Sequence, residues 1–202
     1  LVELYKILEL KNFINLNDNK NIKEIFSLIF PELYNFKRLD RLKTICNHSQ
    51  ISRDILLAVL LIDNRDNHEY FAHKYKISTN TKKNLDLIAR DLLLLKKNKH
   101  FFEKDLEKNI YLNCKRHLIN LNIINFVSNT KCKFKDFSEI LRKILQSKVH
   151  TFTIDGKYLM LNGMKEGLLL GEVLKTIEKE WINNGFKISK SRVKEIIKLS
   201  SN

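Results

Sequence analysis

The 202-residue chain has one proline, Pro31, and five glycines, and every glycine lies at or beyond position 156. A first three quarters without glycine excludes a phosphate-cradling P-loop, a dinucleotide fingerprint and a glycine-flanked nucleophile elbow there. Cysteine is scarce too. Cys46, Cys114 and Cys132 are widely spaced, odd in number and form no CxxC pair, which points to reduced thiols in a cytoplasmic protein rather than a disulfide framework. The longest apolar run, residues 55–62, falls far short of the roughly 18 residues needed to cross a bilayer, so no membrane partner is expected. The opening "LVELYKILEL" has neither a basic leader nor a small-residue cleavage site and does not read as a signal peptide. The missing initial Met points to a processed chain or a fragment.

Catalytic constellations are lacking as well. The six histidines are scattered; His68 and His73, five apart, point about 140° from one another on a helix and share no metal-binding face. "DNRDNHE" (63–69) has carboxylates and amides but no glycine for a calcium loop, and reads as a polar helix terminus. Asp105 and Glu107 are the one close acidic pair resembling a two-metal motif, yet on a helix they diverge by about 200°. No catalytic residue, metal ligand or cofactor site is expected in this chain.

What is present is helical periodicity. Apolar residues recur at helical spacing from Leu4 to Leu199, "NLNDNKN" (15–21) reads as a turn, and Pro31 stops a helix over 22–30. Leu33, Phe36, Leu39, Leu42 and Ile45 repeat at three-residue steps. Ser52 is placed to cap "RDILLAVLLID", whose apolar content runs nearly all round and predicts a buried core helix. "STNTKK" opens a further helix, residues 105–126 read as a long amphipathic one, and 134–148, 167–184 and the segment after Ser189 as others. The expected fold is all-α, a multi-helix bundle or array of nine to eleven helices with a smaller C-terminal helical tail and no significant sheet. The polar interruption at 129–133 places the expected boundary between domains 1–128 and 129–202, with a second change of character at "VHTFTID" (149–155).

Charge is distributed unevenly. Residues 1–80 hold 12 Lys/Arg against 10 Asp/Glu, and residues 81–202 hold 25 against 13. Compositional bias toward lysine would load both parts alike, so the excess in the second reads as a footprint for a polyanion. Candidate phosphate contacts are Lys115, Arg116, Lys135, Arg142 and Lys143 on the basic helices, with Lys157 and Lys165 in the tail.

The tail window "FTIDGKYLMLNGMKEGLLLGEVLKTIEKEW" (152–181) holds four of the five glycines. Asp155-Gly156 is expected to turn the chain, and Gly163 to end a short helix with φ > 0. Gly167, expected at ordinary helical φ, opens the next helix, whose bare N–H groups form a candidate phosphate seat with Gly163, Lys157 and Lys165. Tight helix–helix packing is the competing explanation of these glycines.

The same window resembles the C-terminal tail of bacterial class II CCA-adding enzymes and poly(A) polymerases of the tRNA nucleotidyltransferase family. Gly156, Leu159, Met160, Gly163, Met164, Gly167, Leu170, Gly171, Leu174 and Trp181 fit the family pattern, and "NNGF" (183–186) continues it. Tyr158 and Leu168 stand where the family has an acidic residue and a proline. "ELYKIL" (3–8), "IFSLIFPELYNFKRLDRL" (25–42) and "YKISTNTKKNLDLI" (75–88) are similar to family segments in the same order. The resemblance implies the end of the neck, the body and the tail, parts that embrace the acceptor stem and T-arm of tRNA. The family's catalytic head, with its metal-binding carboxylates, Mg²⁺ and CTP or ATP, has no counterpart here. The implied function is RNA binding, tRNA above all; the chain alone is expected to be no enzyme, and to be part of one where a separate head polypeptide supplies catalysis. The alternative is a non-catalytic helical scaffold whose basic faces meet an acidic protein or membrane surface.

Overall fold

A computed structural model describes residues 1–10, 12–46, 51–63 and 65–200. His48, one of the six scattered histidines, lies outside these. Among the described residues there is no strand, and eleven α-helices and one 3-10 helix form two compact units, Leu1–Ser147 and Lys148–Asn202. The all-α expectation matches the structure.

The first unit contains α1 (Val2–Leu8), a 3-10 helix (Phe13–Asp18), α2 (Lys20–Ile29), α3 (Lys37–Lys43), α4 (Arg53–Leu61), α5 (Asn67–Tyr75), α6 (Thr79–Lys97), α7 (Leu106–Ser128) and α8 (Phe134–Gln146). The all-round apolar segment is its centre. Residues 57–61 of α4 are fully buried, and α4 packs against α1, α3, α5, α6 and α7. Its start is fixed by the Ser52 hydroxyl, which accepts from the Ile55 N–H at 3.4 Å, and that of α6 by Ser78, which accepts from Thr81 at 3.1 Å. Leu33, Phe36, Leu39, Leu42 and Ile45 are all buried at 1% exposure or less, so the three-residue repeat is a core stripe, although only Lys37–Lys43 within it is α-helical.

The boundary differs from the expected one. The units divide at Ser147/Lys148, so α8 belongs to the body and not to the tail. The polar turn at 129–133 is tied down by Arg41. Its guanidinium donates to the carbonyls of Phe126 (2.9 Å), Asn129 (3.3 Å) and Cys132 (2.6 Å) and lies 4.3 Å from the Phe126 ring centroid. Phe137 and Ile144 of α8 are then fully buried in the same core, and the Asn122 amide donates to the Phe137 carbonyl at 3.0 Å. A polar loop therefore joins two helices of one core here. The amphipathic pattern of α8 could not reveal which core it faces.

α7 also departs from a continuous helix. Cys114 has φ 63° and ψ 158°, which interrupts it in the middle; a side chain with a Cβ is strained in that region.

The second unit comprises α9 (Gly156–Leu161), α10 (Leu168–Asn183) and α11 (Lys190–Ser200) around Leu159, Met164, Val173, Ile177, Val193, Ile196 and Ile197. Asp155 caps α9 by accepting from the Tyr158 N–H at 2.8 Å, and Ser189 accepts from Arg192 at 3.2 Å at the start of α11. Gly163 (φ +97°) ends α9 with paired bonds, Gly163 N–H to Met160 O (3.0 Å) and Met164 N–H to Leu159 O (3.2 Å). That is a Schellman motif, and its hydrophobic contact is made by the buried Leu159 and Met164. α10 ends the same way: Gly185 (φ +65°) donates to Ile182 at 3.2 Å and Phe186 donates to Trp181 at 2.8 Å.

Candidate nucleic-acid interface

The candidate cations divide between the two units: Lys115, Arg116, Lys135, Arg142 and Lys143 in the first, Lys157 and Lys165 in the second. They are two surfaces to be judged separately.

In the first unit, many cations of residues 1–80 are engaged internally. Lys43 bridges Asp18 (2.7 Å) and Asp40 (3.7 Å), Arg53 meets Glu9 (3.3 Å) and Asp54 (3.4 Å), and Lys74 meets the buried Glu32 at 2.6 Å. Burial raises the Glu32 carboxyl, but hydrogen bonds led by that from Lys74 outweigh it and hold the group below its ordinary value. Arg38 donates to the carbonyls of Val59 (2.9 Å) and Ile62 (2.5 Å) at the end of α4. Together with Arg41 these groups are structural, because such contacts fix their positions, and carboxylates offset the charge of Lys43, Arg53 and Lys74.

Beyond residue 80 the pattern changes. Lys135 and Arg142, seven residues apart on α8, are exposed and share the face opposite Phe137 and Ile144. Neither makes an ion pair among the described residues. The other three candidates are more constrained. Lys143 pairs with Glu139 at 2.9 Å, and that hydrogen bond holds the Glu139 carboxyl below its usual range. Both line a cleft of about 380 Å³ that also contains Glu103 and Asp136, so its local charge is mixed. Lys115 donates from Nζ to the Leu145 carbonyl at 2.7 Å, which satisfies the C-terminal end of α8. Arg116 is exposed at the rim of a different cleft, of about 360 Å³, between α4, α6 and α7.

That cleft contains residues that reading along the chain does not connect. His117, 8% exposed, takes part through Nε2 in a 2.8 Å hydrogen bond with Oδ2 of the fully buried Asp91, whose Oδ1 accepts from Arg90 at 2.8 Å. Burial raises the Asp91 carboxyl, but the hydrogen bonds from His117 and Arg90 outweigh it and hold it below its ordinary value. Ser52, Asp54, Asn80, Thr81, Asn84, Asn113, Cys114 and Asn120 supply the rest of the polar lining. Asp91 and His117 are 26 residues apart on different helices; the one signal was a carboxylate within an otherwise apolar stripe of α6. The pair can orient an imidazole toward a small polar ligand.

Asp105 precedes α7 and accepts from the Asn98 amide at 2.8 Å, and no group of three or more His, Cys, Asp or Glu converges among the described residues. His68 is buried and His73 exposed, although both lie on α5.

In the second unit Lys157 and Lys165 are exposed, as are Gly163 and Gly167. Gly167 stands before α10 and offers no side chain to cap it, so the first N–H groups have no side-chain acceptor from their N-cap. Its φ is +148° with ψ −172°, not helical as the sequence suggested; this extended region is accessible essentially to glycine alone. The packing explanation applies elsewhere. A Cβ at Gly163, Gly167 or Gly171 would meet nothing within 4 Å, whereas one at Gly156 would lie 3.2 Å from Leu170 Cδ2. A Cβ at 156 would thus press on Leu170 of α10, which would have to give by a few tenths of an ångström, while 163 and 167 favour glycine for backbone conformation.

Comparison of the chain with protein-family models, with curated proteins and with solved structures gives no match.

Proposed function

We propose that the chain is an RNA-binding helical module, and more particularly the neck-end, body and tail of a cytoplasmic tRNA nucleotidyltransferase of the CCA-adding or poly(A) polymerase type. In this reading it grips the acceptor stem and T-arm of tRNA while a separate catalytic head polypeptide binds Mg²⁺ and CTP or ATP. The observation that carries the RNA-binding reading is the division of the cations. Arg38, Arg41, Lys43, Arg53 and Lys74 are held in internal contacts, whereas Lys135 and Arg142 on α8 and Lys157 and Lys165 in the tail present their charge to solvent. The Glu139 carboxylate acts on Lys135 and Arg142 through space, but no ion pair fixes either, and exposed charge of that kind is available for phosphates. The tRNA assignment rests on the sequence resemblance, chiefly the glycine pattern of 156–171.

No helix among the described residues is long and apolar enough to cross a bilayer. A protein partner is favoured by one feature, the exposed Ile22, Ile25, Leu28 and Ile29 on α2. The deciding experiment measures tRNA binding by anisotropy for the parent, for Lys135→Gln with Arg142→Gln, and for Lys6→Gln with Lys20→Gln, whose lysines pair with Glu3 and Glu24. The reading requires the first pair to weaken binding more than the second. Equal effects mean that only net charge matters and the surface is not an interface.

A further inference from the structure

The second unit contains a cleft of about 510 Å³, within the range of small-molecule sites. Phe152, Tyr158, Trp181 and Phe186 form its walls, with Lys187 and Lys190 in its lining. The aromatic walls are built by the end of α10. The Schellman turn at Gly185 brings Phe186, itself at φ +62°, back over Trp181, with ring centroids 5.0 Å apart and planes at 79°. Phe152 packs on the same indole at 5.2 Å. His150 lies flat against Phe186, 3.8 Å between centroids and 5° between planes, and takes one face of that ring. A bulky residue at positive φ is strained, and the contacts with Trp181 and His150 hold the ring there against that cost.

The chemistry of the lining selects among ligands. It contains no carboxylate among the described residues, and both lysines are exposed and make no ion pair there. The nearby Arg192, by contrast, is bound to Glu180 at 2.8 and 3.0 Å and to Glu195 at 3.0 Å, so its charge is offset. Tyr158 and Thr153 add hydroxyls able to meet base edges. Aromatic walls beside uncompensated lysines match a flat, anionic ligand. We propose that this cleft takes one unpaired nucleotide of a bound RNA, its base against the rings and its phosphate on Lys187 and Lys190. The proposal rests on the RNA-binding reading and adds to it a preference for a single-stranded nucleotide.

Trp181 is the chain's sole tryptophan, so its fluorescence reports on the cleft directly. The full chain is titrated with a short oligo(rA), with the same oligomer carrying abasic sites, and with blunt duplex RNA; duplex binding is read separately by anisotropy. Oligo(rA) is expected to quench Trp181 and the abasic oligomer to leave it unchanged. Phe186→Leu should weaken oligo(rA) roughly 5- to 150-fold, the range of one base–aromatic stack. Lys187→Gln with Lys190→Gln, exposed positions that leave the core intact, should weaken it while the melting temperature holds. Duplex binding without quenching by oligo(rA) overturns the cleft and leaves the RNA-binding reading standing. Quenching that survives the double lysine variant undiminished also overturns it. Binding of no RNA at all overturns both.

Discussion

Alanine at Gly163 and alanine at Gly171 should shift the stability of the second unit in opposite directions. Neither Cβ would meet an atom within 4 Å, so packing drops out of the comparison and only the backbone remains. Gly163 sits at φ +97° in the Schellman turn that ends α9, where a Cβ costs about 1–2 kcal/mol. Gly171 lies inside α10, where exchanging glycine for alanine contributes about 0.5–1 kcal/mol of stability. The two variants should therefore differ by roughly 1.5–3 kcal/mol. In a small unit that is a spread on the order of 6–24 °C in melting temperature. Trp181 emission follows this unit alone, since the chain has no other tryptophan. Gly163→Ala melting at or above the parent would refute the account of the turn. A destabilised Gly171→Ala would show that α10 meets something there that the geometry omits.

Further outcomes follow from particular contacts. Asp91→Ala leaves His117 and Arg90 without their buried carboxylate and should destabilise the first unit by about 3–5 kcal/mol in denaturant unfolding. Because the folded Asp91 carboxyl lies below its ordinary value of 3.8, the stability it contributes is complete above that pH and disappears as pH falls through the lower folded value. The gap between parent and Asp91→Asn should therefore narrow in strong acid, and a gap that widens there contradicts the sign. Phe137→Ala should cost about 3–5 kcal/mol and release α8 from α7, read as faster hydrogen exchange across 134–146. Purified chain with Mg²⁺, CTP and ATP should add no nucleotide to a tRNA 3′ end, measured with labelled nucleotide, because catalysis on this reading belongs to the separate head.

Features encoded locally were readable along the chain. Ser52, Ser78 and Ser189 cap the helices they precede, Pro31 follows the end of α2, and the all-round apolar segment is the buried α4. Each depends on residues within a turn or two. Contacts between distant residues were not readable. Arg41 tying the 129–133 turn to the body, and Asp91 meeting His117, join positions whose pairing no local pattern records. The backbone at Gly167 was misjudged because a glycine before a helix fits either a helical or an extended φ, and only the preceding loop selects between them. Among the candidate cations the sign of charge was readable, but the half-burial of Lys143 and Lys115, the carboxylate beside the one and the carbonyl held by the other, emerge only from the fold.

The most direct test of the central claim is competition for the full chain between a tRNA transcript and single-stranded DNA at equal phosphate concentration, repeated across a salt series. An interface shaped for tRNA predicts that the transcript displaces the DNA and that log affinity falls steeply with log salt. Lys135→Gln with Arg142→Gln should make that slope shallower by about 0.9 per duplex phosphate contact removed, on the B-form calibration. Equal competition by the two polymers, with a slope that the double variant leaves unchanged, would contradict the assignment of these helices to structured RNA.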